Sequence, residues 1–293
     1  MVVSASPLTW IVRAVWLSLP LTLGGLLSDA LTQRSAAVAT TTSVLAWTTW
    51  AAVLLASMVL QPVALVALRV LSPLAVLAGA LAALDGPPGP WGWVGLASAA
   101  AVAVAAMSAE VGIEFINGAA YGDERRFPLR PPVALLAGPV PIVWCLLALP
   151  LPAGVLLLAA GGWLPGALLV AMGAATAWWG WRVLSRLVRR WCVFVPAGIT
   201  LVDDMALADP TLMRREDIVR LGPAPVDTDA LDLSAGAAGL ILQVDLAARG
   251  SVVPAAPRGG VTEAVETSAV LFAPSRPGAL LAHAADRGIA VGV

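Results

Sequence analysis

Ser108–Pro132 reads SAEVGIEFINGAAYGDERRFPLRPP. The stretch begins inside an apolar run and ends among arginines. Glu110, Glu114, Asn117 and Tyr121 are spaced 4, 3 and 4 apart, which is one face of a helix. Directly after that face come Arg125, Arg126 and Arg130. Carboxylates at the end of an apolar helix, followed by a basic loop, mark the point where a membrane span meets water.

Charge vanishes on either side of this stretch. No Asp, Glu, Arg or Lys lies between Arg34 and Arg69, between Asp85 and Glu110, or between Arg130 and Arg182. A span needs about 20 apolar residues, because the hydrocarbon core is about 30 Å thick and a helix rises about 1.5 Å per residue. The gaps are long enough, and lipid offers the backbone no partners, so the spans must be helices. Hydrophobic residues make up 59% of the 293 residues and charged residues 12%, against about 25% in soluble domains.

The pattern predicts six spans, near residues 8–27, 36–60, 62–83, 91–119, 132–159 and 165–187. The last two are joined by a hairpin at Gly161–Gly166, with a turn at Pro150–Pro152 as the alternative. Met1–Val12 has no charged side chain, so the first helix reads as an uncleaved span rather than a signal peptide. Arg13, Arg69, the arginines of the fourth-to-fifth loop and Arg182, Arg186, Arg189 and Arg190 all fall on one side; Arg34 falls opposite. Arginine-rich loops stay inside. The expected protein is a multi-pass plasma-membrane protein with both termini cytoplasmic and the lipid bilayer as its first partner. Trp10, Trp91, Trp93, Trp163 and Trp191 fall at expected interfaces, while Trp47, Trp50 and Trp144 are expected between helices.

The character changes after Trp191. Residues 1–191 form the expected transmembrane helical domain, with ten Arg against six acids. Residues 192–293 form the expected cytoplasmic domain, with twelve acids against seven Arg and none of the twelve tryptophans. An acidic tail excludes nucleic-acid binding, which needs a basic footprint. All seventeen basic residues are Arg, which fits GC-rich codon usage.

The tail alternates like strands at WCVFV (191–195), Ile199–Val202, Leu240–Leu246 and Glu266–Ala273. Short strands are expected at Met205–Ala208 and Thr211–Met213, and a loop over Pro223–Gly236. An amphipathic helix closes the chain at Pro277–Arg287, stopped by Gly288. RRWCVFVPAGITLVDD, REDIVRLG and ETSAVLFAPSRPGALLAHAADRG together resemble the bacterial PH-like domains that follow transmembrane helices. The spans are similar to those of multi-span actinobacterial membrane proteins. The resemblance implies a small curled α+β sheet capped by the last helix, a fold that serves many binding roles.

Arg13, Arg69 and Glu110 lie at similar predicted depth. An unpaired charge there costs up to about 3 kcal/mol. Pairing of Arg13 or Arg69 with Glu110 or Glu114 would offset most of that. The cluster Arg13, Arg69, Glu110, Glu114, Asn117 and Tyr121 reads either as an internal clamp or as a polar site for a proton, cation or small substrate. Arg125, Arg126 and Arg130 fix topology, hold anionic headgroups, or dock the tail through Asp203, Asp204 and Asp209. His283 reads as an ordinary helix-surface histidine. Cys145 and Cys192 fit no metal or disulfide motif. No nucleophile elbow, zinc, phosphate-loop or dinucleotide signature is present, so no cofactor, metal or catalytic residue is expected. The expected function is a non-enzymatic scaffold or regulatory subunit whose tail binds a protein partner or the inner leaflet. The alternative is a transporter or channel using the Arg/Glu cluster.

Overall fold

The computed structural model describes residues 6–255 and 263–292. Among them, six apolar helical stretches are long enough to cross a membrane: Pro7–Leu31, Ala36–Met58, Pro62–Asp85, Pro90–Met107, Pro139–Ala159 and Trp163–Val188. The first is built of α1 (Pro7–Thr22) and α2 (Gly24–Leu31), and the next three are α3 (Ala36–Met58), α4 (Pro62–Asp85) and α5 (Pro90–Met107). A separate helix α6 (Ala109–Asn117) and a short α7 (Val133–Ala137) follow. The fifth stretch is α8 (Pro139–Ala148) plus α9 (Pro150–Ala159), and the sixth is α10 (Trp163–Val188). Proline opens α1, α4, α5 and α9, where its missing N–H would have had no partner anyway.

Two boundaries differ from the sequence reading. The fourth span does not run on to Ala119. Ser108 is extended (φ −66°, ψ 154°) and its hydroxyl accepts the Val111 N–H, so it ends α5 and caps α6. The fifth span starts at Pro139, since Gly138 (φ −126°, ψ −80°) leaves the helical region and separates α7 from α8. The hairpin before α10 lies at residues 160–162, and Pro150 opens α9 instead of making a turn.

Prolines inside the membrane helices explain two interhelical bonds. A proline cannot donate to the carbonyl four residues before it, which is costly in lipid unless another donor arrives. Pro20 frees the Trp16 carbonyl, and the Trp50 indole of α3 donates to it at 3.0 Å. The Trp16 indole returns the bond to the Trp50 carbonyl at 2.9 Å. Pro150 likewise frees the Leu146 carbonyl, and the Thr176 hydroxyl of α10 donates to it at 2.6 Å. Around Thr176, Gly166, Gly173 and Gly180 form a seven-residue stripe against Leu158, Leu151 and Leu147. A Cβ on Gly173 would lie 2.5 Å from the Leu151 backbone nitrogen, so only glycine allows this approach.

The chain divides into two compact units, and the cut is not at residue 191. One unit holds Val2–Gly118 and Pro141–Leu184; the other holds Ala119–Val140 and Ser185–Val293. The reason is a strand in the basic loop. In this second unit β1 (Arg125–Pro128), β2 (Arg190–Val195), β3 (Gly198–Asp203) and β4 (Thr211–Arg214) form an antiparallel sheet in the order β1-β2-β3-β4. A second sheet has the order β5-β7-β8-β6, built from β5 (Ile218–Pro223), β6 (Leu231–Asp232), β7 (Leu242–Val252) and β8 (Val265–Phe272). Helix α11 (Pro277–Asp286) closes the unit. Met205–Ala208, expected as a strand, makes only an isolated bridge, Leu207 to Pro254. Both sheets and α11 contribute to one buried core that includes Phe127, Phe194, Leu201, Val244, Phe272 and Leu280. A strand preceding the fifth span pairs with one following the sixth, so an even number of crossings separates them.

Thr176→Val removes the donor to the Leu146 carbonyl and should lower stability in detergent by about 1 kcal/mol. In a Pro150→Ala background the backbone N–H returns and the same change should cost clearly less. A double-mutant cycle on thermal unfolding measures this coupling.

Candidate functional site

In the membrane unit the buried charges answer helix ends, not one another. Arg13 is 8% exposed and donates from Nε, at 3.0 Å, and from Nη2 to the Ser57 carbonyl. Ser57 stands in the last turn of α3, where carbonyls lack intrahelical partners and the helix dipole is negative. Arg69 repeats the arrangement: its Nε donates at 2.9 Å to the carbonyl of Ala106, in the last turn of α5. Gly112 of α6 leaves room for that guanidinium, since a Cβ there would sit 3.1 Å from Nη2. Glu114 occupies the opposite kind of end. Its carboxylate accepts from the Ser6 N–H at 2.9 Å, the Ser6 hydroxyl at 2.5 Å and the Thr9 hydroxyl at 2.6 Å, at the N-terminus of α1. An anion there meets free N–H donors and the positive end of the dipole.

In place of the expected pairing of Arg13 or Arg69 with Glu110 or Glu114, Arg13, Arg69 and Glu114 make separate capping arrangements. The physical reason is the break at Ser108, which turns α6 out of the line of α5 and sets Glu114 against the start of α1. Glu110 is exposed, in the first turn of α6, where a carboxylate is favourable. Asn117 is buried, and its amide donates to the Ile113 carbonyl at 2.8 Å. Tyr121 does not extend this face: α6 ends at Asn117, and Tyr121 is 87% exposed in the other unit. Ser6, Thr9 and Ser57 went unnoticed in the sequence. Ser6-Pro7 is an N-cap followed by a first-turn proline, a signal that was there to read.

The unit that holds the two sheets brings the basic loop and the tail together through backbone pairing. Arg125 opposes Phe194, and Pro128 opposes Trp191, along the β1–β2 ladder. Beyond β1 the loop is stitched on both edges. Leu129 N–H donates to the Arg190 carbonyl at 2.9 Å; Arg130 N–H donates to the Ala273 carbonyl at 2.7 Å. Phe127 and Leu129 enter the core. The three arginines take different roles. Arg125 is exposed. Arg126 forms an ion pair with Glu124 at 2.9 Å and lies 5.6 Å over the Trp191 ring. Arg130 donates to the Ala238 carbonyl at 3.1 Å.

Asp203, expected to face the loop arginines, is held by Arg190. Both side chains are 1% exposed, and two parallel bonds of 2.8 Å join Nε to Oδ1 and Nη2 to Oδ2. Oδ1 also accepts the Met205 and Ala206 N–H groups at 3.0 and 3.3 Å. The remaining guanidinium nitrogen donates to the Arg130 carbonyl at 3.0 Å. The pair is legible by counting outward from the hairpin: with Val195 opposite Gly198, Arg190 falls opposite Asp203. A bidentate buried pair with its other groups satisfied is strongly directional.

Two groups with chemical potential pack in or against the core. Cys192 is buried in the core, and burial pushes its thiol well above the usual range, so it carries no thiolate at neutral pH. His283 is not an ordinary surface histidine. Its ring stands edge-on to Phe194 at 5.0 Å and tilted to Phe127 at 5.6 Å. Among the described residues no three His, Cys, Asp or Glu side chains converge as a metal site. No protein-family model, curated protein or solved structure matches the chain.

Arg190→Met strands the Asp203 carboxylate in the core and should cost the two-sheet unit about 3–5 kcal/mol. Arg190→Met with Asp203→Leu should recover much of that loss. Hydrogen exchange of β2 and β3 in the detergent-solubilised full chain reads both outcomes.

Proposed function

We propose that the chain is a non-enzymatic integral plasma-membrane protein with both termini in the cytoplasm. It acts as a scaffold or regulatory subunit whose PH-like soluble unit binds a protein partner. The observation that supports this reading is the construction of that unit. Close to half the chain forms a core-bearing domain from two segments, Ala119–Val140 and Ser185–Val293. Two four-stranded sheets come before a closing helix, and strands closed by a final helix are what the PH-like resemblance implies, here with the first strand supplied by the loop. Such a domain is tied covalently to the fourth, fifth and sixth helices. The arginine distribution supports a cytoplasmic position. In the membrane unit Arg13 and Glu114 already have capping partners, which weakens a transport role for them.

The test compares the full chain with a form lacking residues 193–293, both recovered in mild detergent from the native host. The expected result is a protein partner enriched with the full chain and lost with the truncation. Two results would contradict the reading. One is recovery of anionic lipid alone, checked by vesicle flotation. The other is ion or proton flux in proteoliposomes that Glu114→Gln abolishes.

A further inference from the structure

We propose that His283 is a proton-operated latch: neutral, it holds α11 against the loop strand β1 and against β2; protonated, it releases them. The latch is independent of the proposed binding role and concerns how the soluble unit is held together.

The geometry begins with the two phenylalanines. Phe127 belongs to β1, in the segment between the fourth and fifth membrane helices, and Phe194 belongs to β2, just after the sixth. His283 of α11 packs on both, at 5.6 and 5.0 Å between ring centres. The imidazole thus touches the loop and the tail at once, beside the core contacts of Leu280 and Ala284. Its Nε2 is buried and has no hydrogen-bond partner. A neutral ring tolerates this, because its single proton can sit on Nδ1 and leave a bare lone pair at Nε2. A protonated ring cannot, because both nitrogens then carry N–H groups. The cation would bury a charged donor with no acceptor, against two aromatic rings.

The surrounding charges act in the same direction. β1 contributes Arg125, and α11 contributes Arg287, whose guanidinium donates to the Asp123 carbonyl in the loop. Asp286 of α11 opposes them. β2 presents Phe194 and the buried thiol of Cys192 on the same face, and neither carries charge there. Burial first, then Arg287 and Arg125, hold the His283 ring below its ordinary value of 6.5. The unfolded or opened state therefore takes up a proton at higher pH than the closed state. The stability the neutral ring contributes is complete above pH 6.5 and is lost as the pH falls below it.

The chain has one histidine, so an isotope-labelled full chain in detergent, carrying a tag without histidine, gives a single imidazole titration. Deuterium uptake of residues 125–130 and 277–286 is measured in parallel near pH 7.5 and near pH 5, corrected for intrinsic exchange. The expected result is titration below 6.5, with uptake in both segments rising several-fold at the acid pH. In His283→Phe, which keeps a ring between Phe127 and Phe194, the acid-induced rise should disappear. Titration of the wild-type ring at or above 6.5 would overturn the proposal, as would unchanged uptake at acid pH. An acid rise that persists in His283→Phe would also overturn it. If that variant is unprotected at both pH values, the wild-type titration and uptake decide the matter without it.

Discussion

The Arg190–Asp203 pair closes the β2–β3 hairpin two residues after the last membrane helix ends at Val188. Its position makes it a constraint on everything that follows. Arg190 fixes β3 through Asp203, and it reaches the loop through the Arg130 carbonyl. Asp203 in turn orders the turn after β3 by accepting two backbone N–H groups. One buried guanidinium thus organises three chain segments that are far apart in sequence. The rest of the sheet then builds on a ladder whose register is already set. Gly198 completes the hairpin: its φ of +150° and the 2.1 Å approach that a Cβ would make to the Met213 carbonyl both require glycine.

The membrane unit solves a different problem with the same chemistry. Lipid supplies neither acceptors nor donors, so every polar group must find one on a neighbouring helix. Arg13 and Arg69 take carbonyls at the C-terminal ends of α3 and α5, while Glu114 takes donors at the N-terminal end of α1. The prolines of α1 and α9 create two further free carbonyls, and Trp50 and Thr176 answer them. Arg13, Arg69, Glu114 and the Trp16 and Leu146 carbonyls are each met by a helix end or side chain of fitting polarity, which ties neighbouring helices together.

Much of this was legible in the sequence, because hydrophobic length and proline position are local signals. The six apolar stretches, the strands at 191–195 and 199–202 and the final helix follow from periodicity and capping alone. The misreadings share one cause, which is reliance on nearest neighbours in sequence. Ser108 looked like a residue inside a span, yet it caps a new helix and so re-aims Glu114. The arginine-rich loop looked like a topology signal, and its RRFP segment is a core strand whose partner lies some sixty residues away. Arg13 and Arg69 looked like partners for Glu110 or Glu114, because helix dipoles and backbone carbonyls leave no mark in a list of charged residues.

The central claim is that the loop between the fourth and fifth helices supplies a strand to the two-sheet unit, with Pro128 directly opposite Trp191. The direct measurement is a cross-link. Cys145 and Cys192 are replaced by Ser, Pro128 and Trp191 by Cys, and a protease site is placed in the hairpin at residues 160–162, between the two segments. Residues opposed on neighbouring antiparallel strands lie within the reach of a disulfide. The account predicts that, after oxidation and cleavage, the two halves stay joined on a non-reducing gel and separate on reduction. Tyr121→Cys, outside the strand, should leave them separate when combined with the same Trp191→Cys. Halves that part despite oxidation of the Pro128→Cys, Trp191→Cys pair, or that join equally well through Tyr121→Cys, would contradict it.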